Sequence, residues 1–300
     1  MEPGSEPTRC GLVAIVGRPN VGKSTLLNHL VGQKVSITSP KPQTTRHRIL
    51  GIKTTRTAQA IYVDTPGLQR RVGRAINRVM NRAAQSSLHE VDLVVFVVEA
   101  LRWTEDDEWV LERIRERRVP AILVVNKVDR VRVKDDLLPY LADVAARMAF
   151  EEVIPVAARQ GLNLGVLERE VERRLPESVP LFPADQVTDR TERFLAAEII
   201  REKLVRRLGE ELPYRLSVEV EAFAEEGPIT RIQAIVWVER AGQKAIVIGA
   251  QGRTLKAVGT AARQDLERML GRSVFLGLWV KVREGWSDDE RALRQMGYDG

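Results

Sequence analysis

Residues 17–24 constrain this chain more than any other part of its sequence. They read Gly-Arg-Pro-Asn-Val-Gly-Lys-Ser and match the phosphate-binding pattern G-x-x-x-x-G-K-[ST]. The two glycines let successive backbone N–H groups converge on phosphate oxygens, Lys23 adds positive charge, and the Ser24 hydroxyl can bind Mg²⁺. An apolar strand precedes the loop at residues 12–16, and the helix after it aims its positive end at the phosphates. The expected phosphate-site residues are Gly17, Arg18, Pro19, Asn20, Val21, Gly22, Lys23, Ser24 and Thr25.

Two later segments are expected to sense the terminal phosphate. The polar loop at 38–48 contains Thr44 and Thr45; one of these hydroxyls can bind Mg²⁺, and we favour Thr45. Residues 64–67 read Asp-Thr-Pro-Gly at the end of an apolar strand, where a carboxylate can bind Mg²⁺ directly or through an intervening ligand. Gly67 has no Cβ and can bring its N–H against the γ-phosphate. The sequence therefore predicts the metal ligands Ser24, Thr45 and Asp64, the catalytic residues Lys23, Thr45 and Gly67, and nucleotide contacts from Asp64, Thr65, Pro66 and Gly67.

The segment at 126–129 identifies the base. It reads Asn-Lys-Val-Asp at the end of another apolar strand. The Asp129 carboxylate can accept two hydrogen bonds from guanine, one from N1–H and one from the exocyclic amine, whereas adenine offers no such pair of donors. Lys127 can lay its aliphatic stem along the base, and a backbone N–H at residues 157–159 can reach guanine O6. The expected base-site residues are Asn126, Lys127, Asp129, Ala157 and Ala158.

Six apolar strands, most of them separated by helical stretches, run from residue 9 to residue 175. This alternation predicts an α/β fold of the P-loop NTPase type, a doubly wound and mostly parallel sheet with its ligand at the carboxyl ends of the strands. Residues 176–190 follow as a linker, because three prolines fall within the eight residues 176–183.

Residues 191–283 predict a second, smaller α+β domain. The pattern is α-β-β-α-α-β, with Gly-Ala-Gln-Gly at 249–252 between the second and third helices. This order is that of a type II KH domain, in which the two glycines bring backbone N–H groups close to RNA phosphates. The expected RNA-binding residues are Lys244, Gly249, Ala250, Gln251, Gly252, Arg253, Lys256 and Arg263.

The net charge, the cysteine count and the absence of long apolar runs are compatible with a protein that binds nucleotide and RNA. The net charge is +6, which mildly favours polyanionic partners, and the single cysteine excludes an internal disulfide framework. No apolar run is long enough to span a membrane, and residues 1–8 read as a loose tail, so a cytosolic protein is expected. Residues 284–300 form an acidic C-terminal tail with 2 Lys/Arg and 5 Asp/Glu, a net charge of −3.

Along residues 70–82, five arginines form either a solvated helix face or an RNA contact.

Taken together, these motifs resemble the Era family of bacterial ribosome-assembly GTPases. The resemblance covers about residues 9–298 and includes Gln-Thr-Thr-Arg at 43–46 and Gly-Trp-Ser-Asp-Asp-Glu-Arg-Ala-Leu at 285–293. It implies Mg²⁺-dependent hydrolysis of GTP to GDP, binding to the 3′ end of small-subunit ribosomal RNA, and a role in assembly of that subunit. It also implies partial location at the inner membrane surface, and we expect a monomer.

Three features of the sequence depart from what such GTPases usually carry. Leu68 stands where many small GTPases have a glutamine that orients water, which predicts slow unaided turnover. Ala157 stands where the family usually has a serine, which predicts modestly weaker nucleotide binding, and the pair at 250–251 carries no lysine. Among relatives without the glutamine, some use K⁺ beside the phosphates with the residue equivalent to Asn20 as a ligand, so K⁺ is a further expected cofactor.

Two other functions stay open from the sequence. In one, the second domain of the GTPase binds a protein or a membrane instead of RNA; in the other, the chain is the GTPase module of a tRNA-modifying enzyme, although it has no room for a catalytic domain. A further hypothesis places the acidic tail over the basic Gly-x-x-Gly region in one nucleotide state, where it would compete with RNA.

Overall fold

The computed structural model describes residues 8–41, 44–67, 75–86, 91–209 and 212–295. Expectations for Gln43, Leu68, Arg70, Arg71 and Arg74, and for the tail at 1–7, fall outside these ranges. The first domain contains the strands β1 Arg9–Val16, β2 Ile49–Thr54, β3 Ala58–Asp64, β4 Leu93–Glu99, β5 Ala121–Asn126 and β6 Glu152–Pro155. Its helices are α1 Lys23–Val31, α2 Ala75–Ser86, α3 Glu105–Arg117, α4 Leu137–Ala145 and α5 Leu164–Arg174.

These strands form one sheet in the order β2-β3-β1-β4-β5-β6. All neighbours are parallel except β2 and β3, which pair antiparallel. Side chains of the central strands are buried on both faces, and α1 and α5 cover one face while α3 and α4 cover the other. The doubly wound, mostly parallel sheet is therefore confirmed, and its carboxyl edge carries the phosphate loop and the segments at 64–67 and 126–129.

The proline-rich linker is attached to the first domain. Gln59 on β3 accepts hydrogen bonds from the backbone N–H groups of Leu181 and Phe182, at 2.8 and 3.0 Å, and donates to the Phe182 carbonyl at 2.8 Å. Thr188 makes an isolated antiparallel bridge to Gly51 on β2. The linker thus runs along the edge of the sheet before the second domain begins.

The second domain has the predicted order. It contains α6 Glu192–Arg207, β7 Leu216–Glu226, β8 Ile229–Val238, α7 Ala241–Ile248, α8 Arg253–Leu270 and β9 Ser273–Val282. Strands β7 and β8 pair antiparallel, β8 and β9 pair parallel, and the apolar faces of α6 and α8 pack on one side of this sheet. The type II KH arrangement is confirmed. Within the described part of the chain, no helix is both long and apolar enough to cross a membrane, and the expected membrane contact stays a prediction.

Residues 284–295, the described part of the C-terminal tail, do not lie over the Gly-x-x-Gly region in this structure. A short turn at Trp286–Asp288 and the helix α9 Glu290–Gln295 instead pack against α2 of the first domain. Trp286 is 1% exposed between Ala75, Ile76, Val79 and Met80 on one side and Ala292 and Leu293 on the other. The net negative charge of the tail suggested contact with basic residues, but its buried tryptophan and leucine decide where it docks.

Candidate nucleotide-binding site

A cavity of about 710 Å³ lies at the carboxyl edge of the first sheet. This volume falls in the range of small-molecule sites. Eleven of the residues expected to bind nucleotide line it: Pro19, Asn20, Gly22, Lys23, Ser24, Thr25, Thr45, Asn126, Lys127, Asp129 and Ala158. The phosphate-loop and base-recognition segments therefore face one space, as their positions at strand ends predicted.

Eight expected residues do not line the cavity. They are Gly17, Arg18, Val21, Asp64, Thr65, Pro66, Gly67 and Ala157. The Arg18 guanidinium turns to Glu99 and Asp107, at 2.8 and 3.0 Å, so any contact of Arg18 with phosphate would come from its backbone and stays a prediction. Ala157 is fully buried behind the cavity wall. Asp64 nevertheless contacts Ser24 and Thr45, two residues that do line the cavity.

Lys23 is held at the phosphate end of the cavity by backbone carbonyls. Its Nζ donates to the carbonyl oxygens of Gly17 and Arg18, at 2.9 and 3.0 Å. Burial lowers the pKa of Lys23 to about 8, although the Asp64 charge opposes this shift. A bound phosphate would favour the charged ammonium, so binding of nucleotide and protonation of Lys23 are linked.

Three oxygen-bearing side chains meet beside Lys23. The hydroxyl oxygens of Ser24 and Thr45 lie 2.7 Å apart, and each contacts Oδ2 of Asp64, at 2.8 and 3.4 Å. The Thr44 hydroxyl turns away to Ser39 and to the Lys41 carbonyl, which supports the choice of Thr45.

This group of oxygens fits Mg²⁺, which prefers hard oxygen ligands. Asp64 is fully buried, and its Oδ1 has no hydrogen-bond partner among the described residues. Burial also raises the pKa of this carboxyl, against the charge of Lys23 and the hydroxyl hydrogen bonds. A buried carboxylate with one unpaired oxygen beside two hydroxyls is a natural ligand set for a divalent cation.

Two glycines allow the phosphate loop to close on its neighbours. Gly22 has a φ of +108°, and a Cβ there would lie 2.3 Å from Nδ2 of Asn126. A Cβ on Gly67 would lie 2.9 Å from the Pro19 backbone nitrogen, so the segment at 64–67 packs directly on the loop. Only glycine allows both approaches.

Asn126 connects three parts of the site. Its Nδ2 donates to the Val21 carbonyl at 2.8 Å, and its Oδ1 accepts the N–H groups of Lys127 and Ala158, at 2.7 and 3.0 Å. These bonds let Asn126 hold the phosphate loop and the base loops together, and they leave its second amide N–H for a contact with nucleotide.

The base end of the cavity is formed by Lys127 and Asp129. The Lys127 ammonium is anchored on Glu99 at 2.9 Å, which leaves its aliphatic stem along the cavity wall. Asp129 is exposed at the opening. The N–H groups of Ala157 and Ala158 already donate to Leu162 and Asn126, so the expected donor to guanine O6 is not supplied by either in this structure.

The cavity has further residues that were not named individually as site residues from the sequence. Ile37, Thr38, Ser39 and Pro40 form one wall, Arg130 and Arg159 lie near the base end, and Arg206 reaches in from α6 of the second domain. Thr38, Ser39 and Pro40 belong to the polar loop at 38–48, which the sequence marked as a segment that senses the terminal phosphate. No local pattern marks Arg206, because its contact joins residues 168 positions apart.

The Gly-x-x-Gly loop has the predicted form. Gly249 has a φ of +73°, and a Cβ on it would lie 2.2 Å from Oγ1 of Thr254, whereas a Cβ on Gly252 would meet nothing within 4 Å. The side chains of Lys244, Ala250, Gln251, Arg253 and Lys256 are exposed around the loop. Arg263 lies ten residues after Arg253, roughly 15 Å along α8, and it pairs with Glu267 at 2.7 Å. It is therefore separated from the loop.

Comparisons with known proteins agree on both domains. The family model described as 50S ribosome-binding GTPase matches residues 12–127, and the KH domain model matches residues 211–287. The GTPase Era of Ectopseudomonas mendocina is 57% identical over 291 residues, which cover 97% of each chain. The GTPase Era of Histophilus somni is 55% identical over 294 residues, covering 98% of each chain.

Two solved structures match over nearly the whole chain. A crystal structure of Era in complex with MgGDPNP and nucleotides 1506–1542 of 16S ribosomal RNA has a TM-score of 0.94 and 40% identity, and the match covers 98% of this chain and 100% of that one. A crystal structure of a point variant of Aquifex aeolicus Era bound to GDP·AlF4⁻ also has a TM-score of 0.94, with 39% identity and the same coverage.

Proposed function

This chain belongs to the Era family of GTPases, and on that premise we propose that it binds the 3′ end of small-subunit ribosomal RNA under the control of GTP and assists assembly of that subunit. The observation that carries the proposal is the full-length structural match to an Era protein holding such an RNA together with a GTP analogue. The exposed basic loop at 249–256 supplies the matching chemistry.

The first domain supplies the means to bind and hydrolyse GTP. Lys23 would hold the terminal phosphates, while Ser24, Thr45 and Asp64 would hold Mg²⁺. When bound, Mg²⁺ neutralises charge on the β- and γ-phosphates. Asp129 would select guanine through two charge-assisted hydrogen bonds. Slow unaided turnover stays a prediction from the sequence, in which leucine occupies position 68.

The second domain supplies the RNA site. Phosphates can approach the backbone N–H groups between Gly249 and Gly252, with Lys244, Arg253 and Lys256 adding positive charge. Arg263 contributes less, because it lies farther along α8 and is paired.

Contacts between the domains connect these two sites. The Thr44 carbonyl, next to the metal-site residue Thr45, accepts a hydrogen bond from Arg201 on α6. Arg46 donates to the Leu216 carbonyl at 2.8 Å. Ordering of the loop at 38–48 by GTP and Mg²⁺ would therefore change its contact with the KH domain.

A monovalent cation is a further part of the proposal. Asn20 lines the cavity in a left-handed conformation, with a φ of +65°. We expect K⁺ to accelerate hydrolysis through this residue. Equal hydrolysis rates in K⁺ and Na⁺ buffers, with Mg²⁺ held constant, would contradict this role.

A single substitution in the loop tests the RNA proposal. Gly252→Asp places a negative charge where phosphates should approach, and its Cβ has open space. We expect affinity for an oligonucleotide copying the rRNA 3′ end to fall by about tenfold or more, with GTP hydrolysis unchanged. Gly271→Asp at the other end of α8 is the matched control, since Gly271 also has a left-handed φ, +65° against +75° for Gly252, and open space around its Cβ. If both variants bind the RNA as the wild type does, the second domain must recognise a protein or a membrane instead.

A further inference from the structure

A side chain of the second domain lines the nucleotide cavity. Arg206, in the last turn of α6, faces the cavity together with Thr38, Ser39 and Pro40 of the first domain. Its Nε and one terminal nitrogen both donate to the Thr38 carbonyl, at 2.9 and 2.7 Å, and that nitrogen also contacts the Thr38 hydroxyl at 2.8 Å. The Arg206 guanidinium therefore forms hydrogen bonds with two oxygens of Thr38, its carbonyl and its hydroxyl.

Glu202, one turn earlier on α6, also forms hydrogen bonds with Thr38. It accepts the backbone N–H of Thr38 at 2.9 Å and contacts the Thr38 hydroxyl at 3.3 Å. Glu202 is fully buried and also pairs with Lys34 of the first domain at 2.5 Å. Burial alone would raise the pKa of Glu202, but the bonds from Lys34 and Thr38 and the nearby Arg206 lower it, so the carboxylate is ionised at neutral pH.

All three polar groups of Thr38 are thus held by the KH domain. Its N–H, its carbonyl and its hydroxyl each contact Glu202 or Arg206. A loop wall gains rigidity when its polar groups are fixed by a packed helix, and a rigid wall slows escape of the ligand behind it.

We propose that Arg206 is a positioning residue of the nucleotide site, which fixes the wall at residues 37–40 through Thr38 and so slows nucleotide release. The inference rests on the proposed function and deepens it. The KH domain completes the nucleotide site in the same chain, and movement of that domain opens the site. Because binding linkage is reciprocal, a partner that shifts α6 would also change nucleotide affinity.

An ordinary helix ion pair does not account for this arrangement. Arg206 and Glu202 also contact each other at 3.1 Å with i,i+4 spacing, which requires no help from Thr38. Arg206→Lys would keep the charge and this pair but lose the planar fork that spans two oxygens. The lysine variant therefore separates the effect of the hydrogen bonds to Thr38 from the effect of the positive charge beside Glu202.

The experiment measures release of a fluorescent GDP derivative by stopped flow. We expect Arg206→Ala to release it about tenfold faster than wild type, the change expected from losing a charged hydrogen-bond pair, with little change in the association rate. Arg206→Lys should lie between the two. Arg207→Ala is the matched control, because this neighbouring arginine is also exposed and no contact of Arg207 with residues 34–41 is described.

A double-mutant cycle shows whether Arg206 acts through Thr38. Thr38→Val removes only the hydroxyl, and we expect the combined effect with Arg206→Ala to be clearly smaller than the product of the single effects. Release from Arg206→Ala within about twofold of Arg207→Ala would overturn the inference, whereas independent effects in the cycle would assign the role of Arg206 to its two bonds with the Thr38 carbonyl, which Thr38→Val retains. A wild-type chain that does not bind GDP would instead overturn the GTPase assignment, whatever Arg206 does.

Discussion

Asn126 provides the most instructive test of the nucleotide site. The sequence motif predicted a residue of the base site, and in the structure the Asn126 amide also joins the phosphate loop to both base loops. Asn126→Ala would leave three buried backbone groups without their partner: the Val21 carbonyl and the N–H groups of Lys127 and Ala158. Asn126 itself is 3% exposed, so water does not readily replace the amide.

The expected loss in the free energy of unfolding follows from the three hydrogen bonds that Asn126→Ala removes. A net contribution of about 0.5–1.5 kcal/mol each gives a loss of roughly 1.5–4.5 kcal/mol in the free energy of unfolding. The phosphate loop and the base loops also lose their common anchor. We therefore expect GDP affinity to fall by about tenfold or more, since a tenfold change corresponds to about 1.4 kcal/mol.

Asn126→Asp separates the contribution of the Oδ1 acceptor from that of the Nδ2 donor. This variant keeps the acceptor for Lys127 and Ala158 but sets a carboxylate oxygen against the Val21 carbonyl, 2.8 Å from the present amide nitrogen. Burial and this repulsion should raise the pKa of the new carboxyl above its unfolded value. The variant should therefore lose stability relative to wild type as pH rises from about 4 through that raised pKa, and recover when protonated.

Urea unfolding of the nucleotide-free proteins and titration with a fluorescent GDP derivative measure both effects. Nucleotide must be absent from the unfolding experiment, because a bound ligand stabilises the folded state by mass action. The reasoning fails if Asn126→Ala unfolds within about 0.5 kcal/mol of wild type and binds GDP within about twofold of it.

Three other predictions follow from the same structure. Because burial lowers the pKa of Lys23 to about 8, GDP affinity should fall as pH rises from about 7 to about 8.5, with proton uptake on binding; isothermal titration in buffers of different ionisation enthalpy would reveal the proton, and Lys23→Gln should bind weakly and without this slope. Asp129→Asn should weaken GTP binding by about tenfold to a hundredfold, because it removes the charge from two hydrogen bonds to guanine; unchanged affinity in a competition assay would count against this assignment. Trp286→Ala should free the C-terminal segment from α2, because this side chain fills the contact between them; hydrogen exchange should become faster in residues 75–86 and 285–295, and equal protection in both proteins would refute the docking.

The element order and the nucleotide motifs could be predicted because they depend on local sequence. Three buried strands of the first domain, β1, β3 and β5, read as largely apolar runs, and a nucleotide motif begins where each run ends, at Gly17, Asp64 and Asn126. The order α-β-β-α-α-β and the glycines at 249 and 252 were likewise local signals. These features fixed the fold class of both domains and brought the phosphate and base segments to one edge.

Side-chain direction and contacts between domains could not be predicted in this way. Arg18 belongs to the phosphate loop by sequence, but its side chain follows the charges of Glu99 and Asp107, which are 81 and 89 positions away. Thr38 and Arg206 meet only because the second domain docks against the loop. The prediction for the C-terminal tail was based on its negative charge, whereas its position depends on packing of Trp286 against the apolar surface of α2. No local sequence pattern indicates that contact.

The most direct test of the account is binding of the full chain to a single-stranded oligonucleotide that copies the 3′ end of small-subunit ribosomal RNA. Affinity is measured with GDP and with a non-hydrolysable GTP analogue at one fixed salt concentration, because phosphate contacts are salt-dependent. The account predicts tight binding with the GTP analogue and markedly weaker binding with GDP. Binding no tighter than to a scrambled oligonucleotide in both states would contradict it.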